Sequence, residues 1–215
     1  MRSSDQGLRA AWLVQPAYLI AEVLVGVVTG VAYSFRDDTI SALGTSCTSQ
    51  VVSACSSTPT VMNVIFVVFG VLQALGAVML LRQPAGRHRL VGSLWAVAGV
   101  FSILVGLLPV DDHPTAHTLV ALPVFLAQPL AILLHAPLMP RGPTRRVGLA
   151  LGVVAVVGAV AFAALLDSVT WAGAVERAAI WPAKVWLPLA AMTMASRPRP
   201  SRRPHESGGG HRPQR

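Results

Sequence analysis

The chain has 215 residues, of which 53% are apolar and only 12% charged, and its mean hydropathy is +0.61. A soluble domain of this size rarely carries so little charge, so the composition is that of an integral membrane protein. The net charge of +8 does not point to nucleic acid, because phosphate-binding residues should gather on one face with polar or aromatic readers among them; here they stand between apolar runs, sixteen arginines to one lysine.

Residues 1–9 are polar and are read as a cytoplasmic segment. The first apolar run, about 10–35, is longer than the roughly 7 to 15 residues of a signal-peptide core and has no small-residue cleavage site at the right distance. It is therefore expected to be a retained transmembrane helix. Gly26 and Gly30 have the small-xxx-small spacing that lets a neighbouring helix approach closely. Glu22 lies inside the run, where an ionisable group costs roughly 2.5 to 3.5 kcal/mol and usually faces the bundle interior with a partner or a task. A helix starting only after Pro16 would instead leave Glu22 near the headgroups.

Residues 34–59 are polar and hold Arg36, Asp37 and Asp38, followed by Thr39-Ile40-Ser41-Ala42-Leu43-Gly44. Asp38 is placed to cap a short interfacial helix whose end Gly44 would permit. Cys47 and Cys55 are the only cysteines, and both fall in this loop. Outside the cytoplasm such a pair forms a disulfide, whereas in the cytosol it would suggest a metal or redox role; two ligands make a poor zinc site, which favours the disulfide.

Five further apolar runs, 61–81, 90–110, 115–138, 147–166 and 178–195, each approach the roughly 20 residues that span about 30 Å of hydrocarbon. The expected fold is all-α: a polytopic bundle of six transmembrane helices over residues 10–195. Fourteen basic residues fall on one side of it: Arg2, Arg9, Arg82, Arg87, Arg89, Arg141, Arg145, Arg146 and six in the tail. The other side has Arg36 and Arg177, with Lys184 inside the last helix. The positive-inside rule then puts both termini in the cytoplasm of a cell (plasma or inner) membrane, and turns the cysteines, Asp111-Asp112 and Asp167 outward. Residues 196–215, rich in Arg, Pro and Gly, are expected to be a disordered tail drawn to anionic headgroups, each basic residue contributing about 1 kcal/mol.

The junction Leu108-Pro-Val-Asp-Asp-His-Pro-Thr-Ala-His117 concentrates two carboxylates and two imidazoles between apolar runs. Pro114 suits the first turn of a helix, with His113 just before it and His117 four residues on along the same face. Asp111 and Asp112 precede them, Asp37, Asp38 and Ser41 come from the first loop, and Glu176 and Arg177 stand at the mouth of the last helix. Carboxylate and imidazole together suit zinc or a similar divalent ion, whose bound water would be a competent nucleophile. The bland reading is that acids collect in outer loops because basic residues are excluded, and that a His-xxx-His pair without a third ligand is no metal site. Arg177, kept outside against the charge rule, is expected to join His117, the acids beside it and Asp38 in one polar cluster.

Lys184 lies about 10 Å below Arg177 at about 1.5 Å rise per residue; it either snorkels outward or pairs with Glu22 across the bundle. Trp171, Trp181 and Trp186 are read as anchors in the outer interface and adjoining bundle. Gln73, Gln128 and Asn63 can form interhelical hydrogen bonds, and Gly148 and Gly152 fit close helix packing.

Tyr33-Ser34, Asp38-Thr39-Ile40-Ser41-Ala42-Leu43-Gly44, Gly106-Leu107-Leu108-Pro109, His117 and Glu176-Arg177 together resemble the bacterial and archaeal membrane proteins grouped as domain of unknown function 998. The resemblance covers nearly all of the chain from the first helix to the sixth. It implies a six-helix fold with a shared outer polar cluster, and no activity. A looser similarity, in His-xxx-His with Asp and Ser near the outer face, is to membrane-embedded metal hydrolases such as alkaline ceramidases and progestin-receptor-like proteins, which have seven helices and a differently placed histidine pair.

No phosphate-binding loop, HExxH or GxSxG motif is present, which argues against nucleotide-driven transport by this chain alone. Three classes of function stay open. One is an accessory or lipid-binding membrane protein, with membrane lipids and other membrane proteins as partners. Another is a metal-dependent lipid hydrolase, requiring His113, His117 and an acid to converge on an ion. The third is a proton-coupled transporter, requiring Glu22 to border a central cavity.

Overall fold

The computed structural model describes residues 3–29, 32–48, 55–165 and 170–195. These form seven α-helices: α1 Ser3–Leu13, α2 Ala17–Val28, α3 Pro59–Leu81, α4 Arg87–Leu107, α5 Pro114–His135, α6 Pro143–Ala164 and α7 Ala172–Ala195. There is no strand among the described residues, only one isolated bridge between Ser46 and Ser56. Gly30, Asp167 and the tail 196–215 lie outside the described residues.

Among the described residues five stretches are long and apolar enough to cross a membrane: Asp5–Val28, Pro59–Leu81, Arg87–Leu107, Pro114–Leu138 and Pro143–Ala164. Proline opens α3, α5 and α6, where its fixed φ suits the first turn and its missing N–H costs nothing. Gly86, at φ 117°, turns the chain into α4 with a backbone conformation that a side chain would resist.

The first helical stretch begins and ends earlier than the 10–35 expected from hydropathy. Its polar start is helical because Arg9 Nε donates to Ala191 O at 3.0 Å on α7, and Asp5 approaches Arg82 at 3.7 Å. Pro16 interrupts it, since its ring would clash with the carbonyl four residues back. The backbone tightens there, with Ala17, Tyr18 and Leu19 each donating three residues back, to Val14, Gln15 and Pro16.

The outward faces of the bundle are apolar. Along α3, Val61, Val64, Val68, Val71 and Leu75 are exposed at helical spacing, and Leu119, Leu122, Leu126 and Leu130 repeat the pattern along α5. Such stripes suit hydrocarbon and not water. In α7 only Val185 and Met192 are large, apolar and exposed, while Glu176, Arg177 and Lys184 are all buried. This helix packs against α6, α1, α5 and α2.

Two apolar cores fill the interior. One gathers Trp12, Leu80, Trp95, Ile132, Trp186 and Leu187; the other gathers Tyr18, Leu43, Met62, Val105, Val124 and Ile180. Gln15, Gln73, Gln128 and Lys184 each fall in sequence between residues of the two cores, so four elements contribute one buried polar side chain at the same level. Small residues allow this packing: a Cβ at Gly148 would meet the Trp186 ring, and one at Gly152 would meet Leu133.

Candidate functional site

Four successive carbonyls of the first loop are spent on α7. Gly173 N and Ala174 N, among the donors a helix start leaves unpaired, donate to Asp37 O at 3.2 Å and Arg36 O at 2.8 Å. Arg177 Nη1 donates to Phe35 O at 2.9 Å, to Asp38 O at 3.0 Å and back to Gly173 O at 3.0 Å. A side chain at Gly173 would collide with Asp38 O, so the contact requires glycine there. Trp171 N donates to Asp37 Oδ1 at 3.0 Å, and Arg36 pairs with the same carboxylate at 2.9 Å. The Arg36 guanidinium, followed by this backbone N–H, holds the Asp37 carboxyl well below the usual carboxylate range.

Arg177 also pairs with Glu22. Its Nε and Nη2 both lie 2.9 Å from Glu22 Oε1, and Trp181 Nε1 donates to Glu22 Oε2 at 2.7 Å. Arg177 Nη2 donates to Tyr33 Oη, and Tyr33 Oη donates to Thr39 O at 2.9 Å. Burial pushes the Tyr33 phenol above its ordinary range, against the opposing pull of Arg177. Arg177 further lies 5.1 Å from the Phe35 ring centroid and 5.6 Å from that of Tyr33. Every donor of the guanidinium group faces an acceptor or a ring, which is how a buried arginine is tolerated.

The residue before Arg177, Glu176, accepts from Ile40 N through Oε2 and from Ser41 Oγ through Oε1 at 3.4 Å. Ser41 Oγ is 3.2 Å from His117 Nε2, and His117 Nδ1 is 2.8 Å from Leu108 O. Ser41 begins a 3-10 turn, Ser41–Gly44, in which Thr39 Oγ1 accepts from Ala42 N at 3.2 Å. Asn63 of α3 holds the far end by donating to Gly44 O at 2.9 Å. Thr39, Ser41, His117 and Glu176 line a cleft of about 390 Å³ whose remaining wall, Thr118 apart, is apolar and includes Leu122, Phe125, Ala159, Phe162 and Ala163. Phe125 and Phe162 stack in that wall at 4.7 Å.

The family described as "Protein of unknown function (DUF998)" matches residues 13–193. The chain belongs to this family. No curated protein and no solved structure matches it. Belonging to DUF998, with five helices long and apolar enough to cross a membrane, makes it a membrane protein whose activity has to be argued from its own side chains.

In this DUF998 member, Asp38 and Arg177 do meet, but through the Asp38 carbonyl; the Asp38 carboxylate accepts from Ser34 N at 2.7 Å and caps no helix. Asp111 lies apart from Arg177, accepting from Ser46 N at 2.9 Å, and with the exposed Asp112 it borders a separate polar hollow. His113 is exposed at the start of α5, while His117 turns inward to Ser41. Among the described residues no three His, Cys, Asp or Glu side chains are grouped to hold a metal. Cys47 and Cys55 are disulfide-bonded, with Cα atoms 4.8 Å apart.

Lys184 does not pair with Glu22, which Arg177 already holds. It donates to Gln15 Oε1 at 3.1 Å and Gln73 Oε1 at 3.0 Å, and borders a cavity of about 40 Å³ with Gln128, Ser102, Tyr18 and Glu176. Glu22 does not line that cavity. Trp186 is no interfacial anchor: it is fully buried and donates to His135 Nδ1 at 3.2 Å, whereas Trp171 is 57% exposed. The half-buried Tyr33 and Trp181 complete the network around Arg177 and Glu22, and the buried Gln15 that around Lys184. Of these, Gln15 announces itself in sequence, as an amide inside an apolar run.

Proposed function

We propose that the protein is a six-span membrane protein of the cell membrane that binds an acyl-chain amphiphile in the cleft between α5 and α6. The acyl chain lies along Leu122, Phe125, Ala159 and Phe162, and the oxygen-bearing end meets Ser41 and His117. The observation that carries this reading is the cleft's division into two chemistries: an apolar wall and a polar group of Thr39, Ser41, His117 and Glu176. Ligand pockets commonly combine an apolar lining with a few placed polar groups. The wall continues into the exposed apolar face formed by Leu119, Leu122, Leu126 and Val160, which gives a lipid a lateral way in.

On this reading α7 is the sixth span. Its 24 residues, at about 1.5 Å each, exceed the roughly 30 Å of hydrocarbon. Its three charged side chains all bond within the bundle. The arginines of the α3–α4 and α5–α6 connections then face the cytoplasm with both termini, and the polar end of the cleft faces outward.

Native mass spectrometry of protein released from mild detergent tests the binding. The wild type should carry a lipid-sized adduct, and Ala159→Phe and Ala163→Phe, which fill the cleft from α6, should lose it while melting near the wild-type temperature. A wild type with no adduct, or adducts indifferent to both substitutions, would overturn it.

A further inference from the structure

We propose that Ser41 and His117 form a nucleophile and general-base pair that hydrolyses a carboxylic ester of the amphiphile held in the cleft. The inference rests on the binding reading above and adds a reaction to it. The decisive point is which proton sits where. His117 Nδ1 is 2.8 Å from Leu108 O, and a carbonyl oxygen can only accept, so Nδ1 carries the proton. In the neutral ring Nε2 then holds a lone pair. Ser41 Oγ has one proton and two acceptors in reach, Nε2 at 3.2 Å and Glu176 Oε1 at 3.4 Å, and the shorter contact is the one to Nε2.

A serine nucleophile needs this polarity: a base within hydrogen-bond reach of the hydroxyl, and a third group on the other ring nitrogen to fix the tautomer. The fold supplies the third group where α4 ends, since the last carbonyls of a helix have no partner within it. Glu176 is a positioning residue. It accepts from Ile40 N through Oε2 and is the longer-range acceptor of the Ser41 hydroxyl through Oε1 at 3.4 Å, so it fixes the start of the 3-10 turn that presents the hydroxyl. A staple between the first loop and α5 could be made anywhere along their contact. This pair lines the polar part of a cleft whose wall is otherwise mostly apolar.

The chemistry balances without a metal or redox partner. Ser41 Oγ bonds to the ester carbonyl carbon as its proton passes to His117 Nε2. The bond from that carbon to the alkoxy oxygen breaks, and His117 returns the proton to the departing alcohol. Water then attacks the acyl-serine, giving one proton to His117, and the fatty acid leaves as Ser41 regains its hydrogen.

The test uses the full-length protein in mild detergent and a long-chain alkyl fluorophosphonate, which labels activated serines. Peptide mass spectrometry of the wild type should place the label on Ser41, and a long-chain p-nitrophenyl ester should be cleaved and should slow labelling by competition. Ser41→Ala should abolish both signals. His117→Gln should lower the labelling rate by about 10²-fold or more, the usual scale of a lost general base. The wild-type label map and competition stand on their own should either variant fail to fold. An unlabelled Ser41, or labelling at an unchanged rate in His117→Gln, overturns the proposal. If that protein still carries lipid, cleft binding survives and only the chemistry fails; if it carries none, both fail.

Discussion

Arg177 shows at the level of single residues how a charge is kept inside this bundle. Its guanidinium group is shared among Glu22, Tyr33 and three backbone carbonyls, so no one contact carries it. Removing the carboxylate leaves a buried cation short of its ion-pair partner, which costs about 3 to 5 kcal/mol. Glu22→Ala and Glu22→Gln should therefore both lower the thermal midpoint in detergent sharply, since Gln is uncharged and its single acceptor oxygen can serve Arg177 or Trp181 but not both. A Glu22→Gln variant that melts near the wild-type temperature would mean that packing and hydrogen bonding, not charge pairing, dominate there. The sequence marked Glu22, Arg177 and Lys184 as costly in hydrocarbon, but the partners depended on which elements are neighbours. Spacing along α7 left Lys184 and Glu22 as a conceivable pair; the first loop's return onto α7 assigned Glu22 to Arg177 instead. The Ser41–His117 contact was equally hidden, because it joins residues 76 apart in sequence.

Among the elements, the periodic apolar runs located α3, α4, α5 and α6 closely, since each is bounded by proline, glycine or arginine and has an uninterrupted lipid-facing stripe. The first stretch was harder. Hydropathy cannot see that the polar residues from Ser3 to Arg9 are helical when Arg9 is tied to α7, nor that the apolar character beyond Val28 belongs to the loop folding back. Here Tyr33 and Phe35 pack edge to face at 5.2 Å. At the α1–α2 junction, Trp12 Nε1 and Gln15 Nε2 donate to the α3 carbonyls of Gln73 and Phe69, at 3.0 and 3.2 Å. Gln15 also accepts from Lys184 at 3.1 Å. The junction is thus held by Gln15 more than by Pro16. Gln15→Leu, which removes a hydrogen bond to α3 and takes a partner from Lys184, should cost about 1 to 3 kcal/mol. Pro16→Ala, which changes chiefly the freedom of the unfolded chain, should cost no more than about 1 kcal/mol. Melting curves that reverse this order would place the stability of the junction in the proline.

For the molecule as a whole, the two ends of the bundle differ in chemistry, and two independent rules read the difference the same way. One end carries Arg82, Arg87, Arg89, Arg141, Arg145 and Arg146 in or beside the α3–α4 and α5–α6 connections; basic loops of this length are retained in the cytoplasm. The other end carries the Cys47–Cys55 disulfide, a bond that persists in oxidising compartments and is rare in the cytosol. Charge and redox chemistry are unrelated constraints, so their agreement fixes an expected orientation: disulfide end outward, arginine end inward. A membrane-impermeant maleimide, applied to intact cells after mild reduction, should label Cys47 and Cys55. In a Cys47→Ser, Cys55→Ser background, Gln83→Cys, exposed in the α3–α4 connection, should react only after lysis. The reverse pattern would invert the bundle and turn the polar end of the cleft toward the cytoplasm. Water and released alcohol would then exchange with the cell interior, and the substrate would have to come from the inner leaflet.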